Sequence, residues 1–242
     1  MCYTVDNKNS KKVLSDKLKR PFKSDQEALE ATFLSGFAHP KMCMVKQEQP
    51  DVIDIARWGL VPGFISDAAK AKEYFINTLN AKADTIFEKV SFKNSIMPRR
   101  CIIPISGFYE WRDINKVKYP YYIKAKDQEI TCVGGIYDYW VEKATGEVHT
   151  TFSMITTEAN PLMSKIHNLK LRQPLLLSQP DAEQWIDNSL KKEDVIELMK
   201  PLGEEFMSAH TVKKISPKTA DVFSEEIKSE FDYPELALYD SM

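Results

Sequence analysis

Residues Arg99–Arg112 read RRCIIPISGFYEWR, and the reading of this stretch decides the fold. Cys101, Ile102, Ile103 and Ile105 are apolar, and Tyr109 and Trp111 suit a pleated surface, so the stretch is predicted to be a buried strand. Gly107 permits a close backbone approach within it. Glu110 stands between Tyr109 and Trp111. A glutamate is ordinarily a solvated strand face. Flanked by aromatics, it instead points to a cleft, where a carboxyl can act as general acid or base near neutral pH.

Strand-like stretches follow this one at Tyr119–Lys126, Glu129–Trp140 and His149–Thr156. Before it come Cys2–Val5, Cys43–Gln47 and Val52–Leu60, the last running into the tight turn Trp58-Gly59-Leu60-Val61-Pro62. Helices are predicted over Lys11–Lys19, Asp67–Ile76, Thr85–Val90, Asn160–Ile166, Asp181–Asn188 and Glu193–Met199. A further helix, ending near Gly36, is read from a capping box at Ser24-Asp25-Gln26-Glu27. Leu171–Leu177 and Ser208–Val212 are strand-like. Strands outnumber helices without βαβ alternation, which gives an α+β class with a largely antiparallel sheet. No internal repeat, phosphate loop or dividing linker is visible.

The chain has 242 residues, 43% of them apolar, enough for a sizeable core. No apolar run is long enough to span a membrane, so a soluble intracellular protein is expected. The four cysteines, Cys2, Cys43, Cys101 and Cys132, have neither metal-like nor disulfide-like spacing. Net charge is −2, too low for coating nucleic acid by charge alone. Residues 7–24 carry +6 and residues 215–242 carry −5, leaving +3 on residues 1–214. That excess fits one basic groove. The acidic tail from Ser216 is expected to be loosely packed apart from its aromatics.

Four residues carry candidate chemistry. Cys2 would become the first residue after Met1 removal, placing an α-amine and a thiol on adjacent atoms. The amine, with an ordinary pKa near 8, can form a Schiff base with an aldehyde, and the thiol can then close a five-membered ring. Glu110 supplies the proton transfers this requires. Asn80 is either a second polar site group or a turn residue ahead of Thr85. His167 exits a short helix. His39, His149 and His210 have nothing to recommend them.

Taken in order, these motifs resemble the SOS response-associated peptidase (SRAP) family of abasic-site crosslinking proteins. The matching stretches are Met1-Cys2, Trp58-Gly59-Leu60-Val61-Pro62, Asn80-Ala81-Lys82-Ala83-Asp84, Arg100-Cys101-Ile102-Ile103-Pro104 and Gly107-Phe108-Tyr109-Glu110-Trp111. Thr156-Thr157-Glu158-Ala159-Asn160, Ile166-His167 and Arg172-Gln173-Pro174-Leu175-Leu176-Leu177 complete the set. The resemblance implies catalytic roles for Cys2, Asn80, Glu110 and His167, and a thiazolidine crosslink to abasic sites in single-stranded DNA. It also implies that Lys82 and Arg172 grip phosphates, with Lys170 sharing the charge role, while Trp58 and Phe64 offer stacking faces. No cofactor, metal or membrane is implied.

Two departures stand out. Cys2-Tyr3-Thr4 replaces the family's Cys-Gly-Arg, and three extra residues separate His167 from Arg172-Gln173-Pro174. The expectation is one SRAP-like domain over residues 1–242, core about 2–212 and tail about 216–242, with a barrel-like β core flanked by helices. The protein is expected to be a cytoplasmic monomer, on the nucleoid when bound to DNA. A thiol autopeptidase using Cys2 and His167, and a non-covalent single-strand binding module, are the alternative readings.

Overall fold

A computed structural model describes residues 2–215 and 221–240. In chain order the main elements are β1 (Thr4–Asp6), α1 (Lys11–Leu18), β2 (Leu34–Ser35), β3 (Lys41–Lys46), β4 (Gln49–Trp58), α2 (Ala68–Asn77) and β5 (Asn80–Lys82). Then follow β6 (Arg100–Ile105), β7 (Gly107–Ile114), β8 (Val117–Ala125), β9 (Thr131–Val141), β10 (Val148–Glu158), α3 (Pro161–Ile166), β11 (Arg172–Pro174) and β12 (Leu176–Leu177). The chain ends with α4 (Gln179–Trp185), α5 (Lys192–Leu198), β13 (Met207–Thr211) and α6 (Pro234–Asp240). The class is α+β, as the strand count predicts.

Five strands close a barrel: β3 pairs with β4 and β6, β6 with β9, and β9 with β10, all antiparallel, and β10 completes the circuit by a parallel pairing with β4. Its strands carry apolar residues on both faces, and the two-residue period sends alternate side chains to different clusters. On β6, Ile102 packs with Cys43, Val45, Ile53 and Ile136, beneath helices α1, α4 and α5. Cys101, Ile103 and Ile105 pack with Met42, Met44, Trp58, Phe152 and the residues of the second sheet. That sheet runs β13-β8-β7-β1-β2.

The stretch that organises the sequence is therefore two strands rather than one. The chain turns a corner at Ser106, whose N–H donates to the Asp6 carbonyl at 2.8 Å. β6 stays in the barrel and β7 crosses to the second sheet. Gly107 marks the corner, because a Cβ there would lie 2.6 Å from the Tyr122 ring. Gly59 serves the other predicted turn, with φ +114°.

Three other expectations change. No helix runs from the capping signal to Gly36: Ser24 accepts only a local turn bond from the Gln26 N–H. The backbone beyond it bonds to other segments, with Leu29 donating to Lys41 and Phe33 to Val222. Tertiary partners have overridden the capping signal. Thr85–Val90 forms turns rather than a helix, next to a 3-10 turn at Ala83–Thr85.

The acidic tail is also docked where described, from residue 221, while residues 216–220 lie outside the described residues. Lys228 reaches the fully buried Asp6 at 3.0 Å, Glu225 pairs with Lys8 at 3.0 Å, and Tyr233 packs edge-on against Tyr119. No helix among the described residues is long and apolar enough to cross a membrane.

Candidate active site

Cys2 precedes β1, the strand held between β2 and β7. Its side chain is buried, and its thiol faces the Thr4 carbonyl at 3.7 Å. Asn80 opens β5, where parallel pairing to Met154 of β10 fixes its backbone. Its Nδ2 donates to the Cys2 carbonyl at 2.9 Å, and its buried Oδ1 has no protein partner. Of the two readings of Asn80, the turn residue gives way to a group that grips the chain at Cys2.

Glu110 lies on β7, opposite Tyr121, and only 5% of it is exposed. Tyr109 and Trp111 do not wall it. Successive strand residues point to opposite faces, and those two rings belong to a cluster with Phe33, Tyr122 and Val212. Glu110 instead shares its side with Cys2 and His167. Burial raises its pKa to about 7. Burial, reinforced by the Glu110 charge, likewise pushes the Cys2 thiol far up. Tyr3 is raised as well, by burial first and then by the charges of Glu110 and Cys2.

His167 caps α3, with its backbone N–H donating to Met163 at 2.7 Å. Its Nδ1–H donates to the Arg172 carbonyl at 2.8 Å, which aims Nε2 at Glu110, 3.9 Å away. The three extra residues before Arg172 are taken up in a compact turn. Leu171 donates to the His167 carbonyl at 2.9 Å and adopts φ +50°, while Asn168 exchanges two bonds with the Asp113 backbone. With the extension folded in this turn, the His167 ring still faces Glu110. Burial lowers the His167 pKa, so near neutral pH a neutral imidazole faces a carboxyl close to half-protonation.

A cleft of about 490 Å³ opens beside this group, lined by Tyr3, Tyr74, Asn80, Lys82, Lys89 and Phe92 among others. Lys82 is exposed on it. Arg172 is bound to Asp84 at 2.6 Å, a partner that charge counting does not show. Lys170 is exposed on the turn, and Phe64, 53% exposed, sits on the loop after β4.

Trp58 needs correction as a stacking face. It is fully buried, donates through Nε1 to the Leu79 carbonyl at 2.8 Å and packs parallel to Phe152. It supports the turn carrying Phe37, an exposed ring that sequence reasoning missed because no periodic pattern distinguishes it. Among the described residues, Glu142, Glu147 and His149 come close enough together to share a cation. They lie in the β9–β10 hairpin, where the imidazole is within 3.7 Å of one carboxylate and 3.6 Å of the other.

The barrel and the second sheet together bring a second-position cysteine beside an asparagine, a glutamate and a histidine. The SOS response associated peptidase (SRAP) family model matches residues 1–216, and the chain belongs to that family. It is 34% identical over 166 residues to the abasic site processing protein YoqW of Bacillus subtilis, spanning 67% of this chain and 70% of YoqW. The abasic site processing protein HMCES of Xenopus tropicalis is 29% identical over 202 residues, spanning 73% of this chain and 58% of HMCES. A crystal structure of a Bacteroides thetaiotaomicron protein superimposes with a TM-score of 0.90 at 35% identity, covering 95% of this chain and all of that one.

Proposed function

We propose that this protein processes abasic sites in single-stranded DNA by forming a thiazolidine crosslink through Cys2 once Met1 has been removed. Abasic-site processing is the activity for which the relatives are named. The observation that carries the chemistry is the pairing of Asn80 with the Cys2 carbonyl, next to a buried Glu110 whose pKa is near 7.

In this reading the Cys2 amine attacks the aldehyde carbon of the ring-opened sugar. Loss of water gives an imine. The thiol sulfur adds to the imine carbon while its proton passes to the nitrogen, closing the ring with water as the only by-product. Glu110 donates the proton that lets water leave and recovers one from the nitrogen as the neutral imine forms. Asn80 fixes the Cys2 backbone, and His167 assists opening of the sugar ring. A thiol held protonated suits this order, in which the amine acts first. Lys82, Lys170 and Arg172 supply phosphate contacts, and the protein works as a cytoplasmic monomer.

The test is a denaturing gel with abasic single-stranded DNA. Processed wild type is expected to give a heat-stable crosslink. Cys2→Ala, retaining an amine, gives at most an imine that borohydride traps. A residue added ahead of Cys2 abolishes the crosslink. A stable crosslink from the extended protein, with the extra residue confirmed by mass spectrometry, would sink the mechanism.

A further inference from the structure

We propose that Tyr3 and Phe37 form a shelf on which one nucleobase adjacent to the abasic sugar stacks, making the protein sensitive to the identity of that neighbour. The proposal rests on the abasic-site reading above.

Tyr3 follows Cys2 directly, so whatever occupies the Cys2 site lies within one residue of its ring. The Tyr3 and Phe37 ring centroids are 4.8 Å apart, inclined by 38°. Phe37 is 56% exposed, yet the backbone carrying it is tightly held. It occupies the 3-10 turn Gly36–Ala38, its N–H donates to Ser35 Oγ at 3.3 Å, and the Gly36 N–H donates to the Tyr3 carbonyl at 2.8 Å. The turn rests on buried Trp58, since a Cβ at Gly36 would lie 3.1 Å from the indole. An apolar ring fixed this way in solvent cannot fold inward to hide itself.

The surroundings suit a nucleotide. Tyr3 also lines the 490 Å³ cleft that holds Asn80, Lys82 and Lys89, a volume within the usual range for small-molecule sites. Two exposed ammonium groups there match a phosphate backbone, while Glu73 on the α2 side is the opposing charge. Abasic DNA has lost the base at the reacting sugar, so the neighbouring base is the nearest π surface available. Stacking on aromatic side chains is worth about 1–3 kcal/mol per base and strengthens with ring size, so a purine neighbour should be favoured.

The experiment measures binding by fluorescence anisotropy to single strands carrying a tetrahydrofuran abasic analogue, with purine, pyrimidine or no base on each side in turn. Crosslinking rates on authentic abasic strands are measured in parallel. Wild type is expected to prefer a purine on one side, with roughly tenfold weaker binding when that base is missing. Tyr3→Ala and Phe37→Ala should bring the purine-to-pyrimidine ratio close to one, while Tyr3→Phe should keep it. Loss of fold would lower binding to every strand alike, and surface Phe37→Ala reads the ratio even if Tyr3→Ala is unstable. Indifference of wild type to both neighbours, or an unchanged ratio in Phe37→Ala, overturns the shelf. Crosslinking without neighbour preference removes the shelf alone, and neighbour preference without crosslinking removes the covalent reading alone.

Discussion

Glu110 illustrates how a single residue is tuned by where its strand places it. Its folded pKa of about 7 lies above the ordinary 4.5 because burial penalises the charged form. The folded state therefore holds its proton more tightly than the unfolded chain. No penalty exists below pH 4.5, and stability declines as pH rises from there to about 7, by about 3 kcal/mol in all. Glu110→Gln should accordingly be more stable than wild type at pH 8 and equal to it near pH 4, in urea titrations at both values. The same variant should crosslink about 10²-fold more slowly. A native rate would make Glu110 structural. This residue was legible in the sequence because a carboxyl amid apolar neighbours is chemically conspicuous. The burial of Trp58 was not, since the same residue type serves a core or a surface equally well.

Between elements, the charges that matter depend on pairing. Arg172 on β11 faces Asp84 just after β5 at 2.6 Å, so its guanidinium is already half-committed before any DNA arrives. Asp84→Asn should release it, strengthening single-strand binding several-fold and steepening the dependence of log K on log salt by up to about 0.7. Anisotropy titrations at three salt concentrations read both quantities, and an unchanged slope would place the DNA path away from Arg172. The long apolar strands were legible from their periodicity. The segment 24–36 misled because its backbone partners are distant in sequence, Lys41 and Val222, and a local capping signal carries no information about them. The corner at Ser106 was hidden for a related reason: continuous apolarity does not reveal a change of sheet.

At the scale of the molecule, the two ends of the chain meet. Asp6 is fully buried and accepts bonds from Tyr122 Oη at 2.9 Å and Lys228 Nζ at 3.0 Å. Removing the partner of a buried charge costs about 3 kcal/mol. Lys228→Met should destabilise by that order, and adding Asp6→Asn should recover part of the loss, a coupling that a double-mutant cycle in urea isolates. Additive losses would mean the pair is incidental. Composition suggested a loose tail because a net −5 over residues 215–242 shows neither that Lys8 reaches Glu225 nor that Lys228 turns inward to Asp6.

The dependence of the Cys2 strand on remote segments also sets a schedule. During synthesis β1 cannot complete its sheet until β7 has left the ribosome, more than a hundred residues later, and Lys228 follows later still. At ordinary elongation speeds the amino terminus is open to trimming for roughly 5–20 s. After that Cys2 is closed in, 1% exposed. Methionine aminopeptidase should therefore process the unfolded chain readily and the finished protein poorly, which timed mass spectrometry before and after refolding can measure. On the mechanism proposed above, a molecule that misses this interval would lack the free Cys2 amine, so the crosslinking fraction would be decided while the protein is still being made.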